Sequence, residues 1–155
     1  MSKESQLEET ICQDITRALK NKEKTRLSTL RMIRAAMKNA EITKKDKLSD
    51  DEIISVLNNY LNKVKESLDI FTKVERLDLA NNAKKEIEII KEYLPEQLSE
   101  EKIKEIVKET IIKFNFKTLS DLGPAMKEIV PQVKGKADGK LVNKIVRDLL
   151  EDIKD

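Results

Sequence analysis

The sequence predicts an all-α protein, with about four helices in an N-terminal bundle followed by a small C-terminal three-helix bundle. Three observations predict it. Apolar residues recur at spacings of three and four along most of the chain, the period of one helix face. No stretch alternates apolar and polar residues with the turn chemistry of a hairpin. Charged residues make up 39% of the chain and aromatics only 3%, the balance of amphipathic helices with one solvated face.

Taken in order, Leu7, Ile11, Ile15, Ala18 and Leu19 share one face of a first helix, and Asn21 marks its end. Leu27, Leu30, Ile33, Met37 and Ala40 carry the same spacing through a second helix that no Gly or Pro interrupts. Ser49-Asp50-Asp51-Glu52 has the S-x-x-E form of a capping box, with acids where the helix dipole favours them, and starts a third helix. Ile53, Leu57, Tyr60, Val64, Leu68 and Phe71 sustain its stripe. The stretch 77–82 is indecisive, but Ala83, Ile87, Ile90 and Leu94 define a fourth helix that must stop near Leu94-Pro95, because proline disfavours helical geometry in the residue before it. That proline is the expected boundary, dividing the chain into 1–95 and 96–155. Ser99 caps a fifth helix bearing Ile103, Ile106, Val107 and Ile111. Thr118 and Asp121 open a sixth, carrying Leu122, Met126, Ile129 and Val130, which Pro131 is expected to end. After a Lys134-Gly135-Lys136 turn, Asp138 caps a seventh with Leu141, Val142, Ile145, Val146 and Leu149.

Composition excludes much chemistry. With no His there is no Ser-His or Cys-His nucleophile pair and no imidazole metal ligand. One cysteine, Cys12, allows neither an internal disulfide nor a thiolate zinc site, and is most simply a small core residue. The sequence shows neither a secretory h-region nor an apolar run long enough to span a membrane, so a cytoplasmic protein is expected, with no membrane, metal or cofactor involvement. No catalytic residues converge: Glu86, Glu88, Glu92 and Glu96 read as a solvated helix face.

The formal charge of +2 hides an asymmetry. Residues 15–48 carry eleven cations against three acids, whereas residues 49–105 carry nine against fourteen. On the second helix Lys24, Arg31 and Lys38 are spaced by seven and form a row beside Ser28 and Ala35, small enough to admit a rod-like polyanion. The row reads either as a phosphate-binding face or as a solvated face that offsets the acidic helices. The second cationic feature is Lys134-Gly135-Lys136-Ala137-Asp138-Gly139-Lys140, where lysines alternate with glycines that permit close approach. Lys140, Lys144 and Arg147 then fall opposite Val142, Ile145 and Leu149 on the helix that follows. A lysine-rich turn before a helix is a phosphate site; equally, it is an ordinary helix connection whose glycines serve the turn. With Asp138 as the cap, the lysines rather than the backbone amides have to supply the attraction. The loop is not the phosphate loop of nucleotide hydrolases: three residues, not four, separate Gly135 from Gly139, and Leu141 stands where the magnesium-binding hydroxyl belongs. Lys113-Phe114-Asn115-Phe116-Lys117 interleaves aromatics with cations, and in a chain this poor in aromatics burial between the fifth and sixth helices is expected over base stacking.

Three motifs together resemble a known family: Arg26-Leu27-Ser28-Thr29-Leu30-Arg31-Met32, Glu92-Tyr93-Leu94-Pro95-Glu96-Gln97-Leu98-Ser99, and the loop 134–140 continued by Leu141-Val142. Their order and intervals are similar to those of YqeY-like proteins, relatives of the tail domain of the B subunit of tRNA-dependent amidotransferases, over nearly the whole chain. The family's loop often reads K-G-R-A-D-G-K, so Lys136 replaces a planar, bidentate arginine fork with a point charge. The resemblance implies a larger N-terminal bundle and a C-terminal three-helix bundle. It also implies a tRNA-holding role beside glutamine-dependent amidation, a carbon-nitrogen ligase reaction whose catalysis it does not assign to this chain. The expected function is a non-catalytic tRNA-binding module using Lys134, Gly135, Lys136, Gly139, Lys140, Lys144 and Arg147, assisted by Lys24, Arg31 and Lys38. The expected partners are tRNA and an aminoacyl-tRNA synthetase or amidotransferase. The alternative is a helical protein-interaction module whose lysines only solubilise it.

Overall fold

The structure is a computed structural model that describes residues 5–153. Among them are seven α-helices and one short 3₁₀ turn, with no strand. The chain divides into two compact units that meet in sequence at Leu94 and Pro95.

The first unit holds α1 (Gln6–Lys20), α2 (Lys24–Lys44), α3 (Asp50–Lys73) and α4 (Leu77–Lys91). Its caps follow the sequence signals. Ser49 and Glu52 make the reciprocal capping box, Glu52 N–H donating to Ser49 Oγ at 3.2 Å and Ser49 N–H to Glu52 Oε1 at 3.1 Å. Lys44 donates to the same carboxylate at 2.6 Å, and with the Ser49 amide it holds the Glu52 carboxyl down at about 2. Ser5 caps α1 through the Glu8 amide and donates its hydroxyl to Asp50 at the start of α3, which fixes the two helix starts together. Ile11, Leu30, Ile33, Ile53, Leu57 and Ile90 are fully buried and belong to one core to which all four helices contribute. α4 starts at Leu77, inside the stretch where the periodicity is indecisive. The reason is that Leu77 and Leu79 face solvent, so apolar residues there do not report the core face.

The second unit holds α5 (Glu100–Phe114), a 3₁₀ turn (Leu119–Asp121), α6 (Leu122–Val133) and α7 (Gly139–Asp152) around a separate core of Ile103, Val107, Ile129, Val142, Val146 and Leu150. Ser99 caps α5 through the Lys102 amide, and the Asp121 carboxylate accepts the amides of Lys117 and Thr118, which lowers its pKa. One expectation fails: α6 does not end at Pro131 but runs through it to Val133. The ring faces solvent, the missing N–H forfeits a single bond in the last turn, and Val133, 4% exposed, completes the buried row begun by Ala125 and Ile129. Burial of the final turn outweighs one lost hydrogen bond.

Candidate nucleic-acid interface

Between residues 134 and 147 the chain carries five cations and one acid, Asp138, and that acid faces the backbone. As N-cap of α7 it accepts the Lys140 amide at 3.1 Å, so part of the helix's anion-attracting end is already occupied. Lys134, Lys136, Lys140, Lys144 and Arg147 are exposed, and none is in an ion pair with a described residue. At 100° per residue Lys140, Lys144 and Arg147 lie within about 60° of one another, opposite the buried Val142, Ile145 and Val146, and span about 10 Å along the axis.

The loop is braced. Gly135 adopts φ 77°, a left-handed conformation that a side chain would strain. Its carbonyl accepts Gln97 Nε2 at 2.9 Å, the neighbouring Lys136 carbonyl accepts the Leu98 amide at 2.8 Å, and the Lys136 amide donates to Val133 O at 2.9 Å. Gln97 Nε2 also reaches Pro95 O at 2.9 Å, so the segment 95–98 grips the loop from one side and leaves its lysines outward. Sequence reasoning did not assign this work to Gln97 and Leu98; their place in the second motif was the available signal. Gly139 differs from Gly135. It sits in the first turn of α7, and a Cβ built there meets no heavy atom within 4 Å. Nothing inside the unit requires glycine at that position.

On α2, Lys24, Arg31 and Lys38 are exposed, unpaired among the described residues, and about 10 Å apart along the helix, with Ser28 and Ala35 exposed beside them. A cavity of about 360 Å³ adjoins the first turn of α2. Its lining matches Lys24, Arg26 and Lys85 against Glu23, Glu88 and Glu92, so it has no cationic excess with which to select phosphate. Arg26 is committed within the unit: its guanidinium clamps Glu92 at 2.6 and 3.0 Å, which raises its own pKa and lowers that of Glu92. Next to it Tyr93 donates to Asp14 at 2.5 Å. Burial, then that hydrogen bond, pushes the Tyr93 phenol well above its ordinary value. Arg26, Glu92 and Tyr93 therefore hold α4 to α2 and α1; their motif positions are accounted for by packing. Among the described residues no three metal-ligating side chains converge. Cys12 is half-buried and unbonded to another cysteine.

The fold and site define a class, an all-helical chain of two compact units with a braced, lysine-rich loop in the second. The profile of the family described as Yqey-like protein matches residues 8–150, and the chain belongs to that family. It is 29% identical over 93 residues to an uncharacterised protein of Schizosaccharomyces pombe (strain 972), covering 60% of this chain and 76% of that one. It is 26% identical over 140 residues to "Altered inheritance of mitochondria protein 41, mitochondrial" of Pyrenophora tritici-repentis, covering 88% of this chain and 77% of that protein. No helix among the described residues is long and apolar enough to cross a membrane.

Proposed function

We propose that this chain is a non-catalytic tRNA-binding module that works beside tRNA-dependent amidation, as its likeness to the tail of the amidotransferase B subunit implies. One observation carries the reading. Lys134, Lys136, Lys140, Lys144 and Arg147 are all exposed and outside any ion pair among the described residues, in and just after a loop whose backbone is held in place by Gln97 and Leu98. Lysine contacts to phosphate give salt-dependent affinity without base preference, and RNA shape supplies the selectivity. Gly139 supports it, because a glycine that the fold does not need leaves the start of α7 open to a ligand's backbone. Lys24, Arg31 and Lys38 serve as an auxiliary phosphate row on α2, with an aminoacyl-tRNA synthetase or amidotransferase as the protein that uses the bound tRNA. A cytoplasmic setting, reducing and rich in tRNA, suits the one free cysteine. The test is a titration of folded tRNA against a DNA duplex of matched length, with Lys134, Lys136 and Lys140 changed together to Glu in a second sample. Selective tRNA binding that the variant loses, at unchanged helicity, supports the reading; equal and weak binding to both nucleic acids, indifferent to the variant, removes it in favour of a protein-interaction role.

A further inference from the structure

The expectation that Phe114 and Phe116 are both buried holds for one of them only. Phe116 is half-buried against the core of the second unit, whereas Phe114 is 43% exposed. The cause is local. Asn115 takes φ 56°, and the amides of Asn115 and Phe116 donate to the carbonyls of Ile112 and Ile111 at 3.2 and 3.0 Å, the two bonds of a Schellman ending. That turn folds Phe116 back under the end of α5, where its ring lies 5.7 Å from that of Phe114 with 17° between the planes. Near-parallel rings at that separation are offset, so the inner ring supports the outer one and leaves much of its surface uncovered.

Lysines flank this platform in the sequence. Lys113 Nζ stands 5.6 Å from the centre of the Phe114 ring, and both Lys113 and Lys117 are exposed and outside any ion pair among the described residues. The Asp121 carboxylate lies nearby but is bound to the amides of Lys117 and Thr118. An aromatic face backed by a second ring, with one ammonium resting over it and an exposed lysine outside any ion pair among the described residues three positions on, is the composition of a single-strand nucleic-acid site: the ring takes the base, and the lysines take the neighbouring phosphates. Lys113 leaves the ring readily, since an exposed lysine over an aromatic is weakly held on a flexible stem.

We propose that Phe114, seated on Phe116 and flanked by Lys113 and Lys117, is a stacking site for an unpaired nucleobase of RNA. The proposal rests on the nucleic-acid reading above but concerns different residues. The braced loop touches the start of α5 through Leu98, and Phe114 ends that 15-residue helix, about 20 Å away. The two sites are therefore separable by mutation.

The chain contains no tryptophan, so Phe114→Trp introduces a single indole at the platform without shrinking it. The full chain carrying that change is titrated with a short oligouridylate and with an RNA duplex of the same length, reading indole emission, and labelled tRNA binding is followed in parallel by anisotropy. Saturable quenching by the single strand and not by the duplex is expected. Phe114→Ala, at unchanged helicity, is expected to weaken oligouridylate binding at least about fivefold, the equivalent of about 1 kcal/mol for one stacked base. Lys113→Glu with Lys117→Glu makes the salt slope for the same strand shallower by about 1.4. Emission that ignores the single strand while tRNA still binds overturns this inference and leaves the tRNA reading standing. Quenching by the single strand with no tRNA binding does the reverse. Equal quenching by the duplex, or an oligouridylate affinity unchanged in Phe114→Ala, also overturns it and returns the exposed ring to contact with a protein partner.

Discussion

Gly139→Ala separates a glycine kept for the fold from one kept for a ligand, because the two uses give opposite signs. In the structure residue 139 opens α7 with an ordinary helical backbone, and the added Cβ meets nothing within 4 Å. Alanine there removes freedom from the unfolded chain and favours the helix, which is worth about 0.5 kcal/mol at a terminal position. In a unit of some 60 residues that raises the midpoint of thermal unfolding by about 2–4 °C. The same methyl stands where a phosphate is proposed to approach, and displacing one charge-assisted contact of about 1.5 kcal/mol weakens tRNA binding roughly tenfold. The assay is paired: a circular dichroism melt and a tRNA anisotropy titration on the same preparation. A variant that melts lower refutes the structural half of the reasoning. A variant that melts higher and binds tRNA as well as the parent refutes the claim that a ligand lies against Gly139.

Three other outcomes follow from specific contacts. Gln97→Met keeps the side chain's volume but deletes the hydrogen bonds to Pro95 O and Gly135 O; it is expected to cost about 1–2 kcal/mol in urea unfolding and to speed amide exchange at Lys136, whereas unchanged exchange would show that the loop needs no brace. Tyr93 is held protonated in the folded state by burial and by Asp14, so the folded protein binds its phenolic proton more tightly than the unfolded chain does. The stability from this group is therefore complete below about pH 10 and declines as the pH rises further towards the folded pKa; Tyr93→Phe flattens that alkaline decline, and an unchanged pH profile by chemical unfolding would count against it. Glu75 ends α3 in the left-handed region at φ 58° with nothing in its side chain to favour it, so Glu75→Gly is expected to stabilise by about 0.5–1 kcal/mol, and a loss of stability would show that its conformation is unstrained.

Those left-handed residues explain why some boundaries were hard to read. Helix ends are recognised by glycine or asparagine, and Asn21 and Asn115 obey that rule at the ends of α1 and α5, but Lys45 and Glu75 take the left-handed conformation with no such signal in the sequence. Where a side chain acts as its own sign, as in the Ser49–Glu52 box and at Ser99 and Asp138, the start of the helix was legible to the residue. Pro131 does not end α6 because the burial of Val133 opposes the cost of its missing N–H, and that burial is not visible in the local sequence. At the candidate site, the cationic residues and the cap were legible as charge and spacing. The brace from Gln97 was not, since it joins residues 38 apart in sequence. Phe114 was visible as a residue but not as an exposed one, because exposure there depends on the turn at Asn115 and not on the identity of the ring.

The central claim is that phosphates are neutralised by the lysines around the braced loop. The most direct test is the salt dependence of tRNA binding for the parent chain and for the variant with Lys134, Lys136 and Lys140 changed to Glu. If each lysine meets one phosphate, the slope of log affinity against log salt becomes shallower by about two to three in the variant, with the far-ultraviolet spectrum unchanged. An identical slope in the two proteins would contradict the account and show that this face is not where RNA is held.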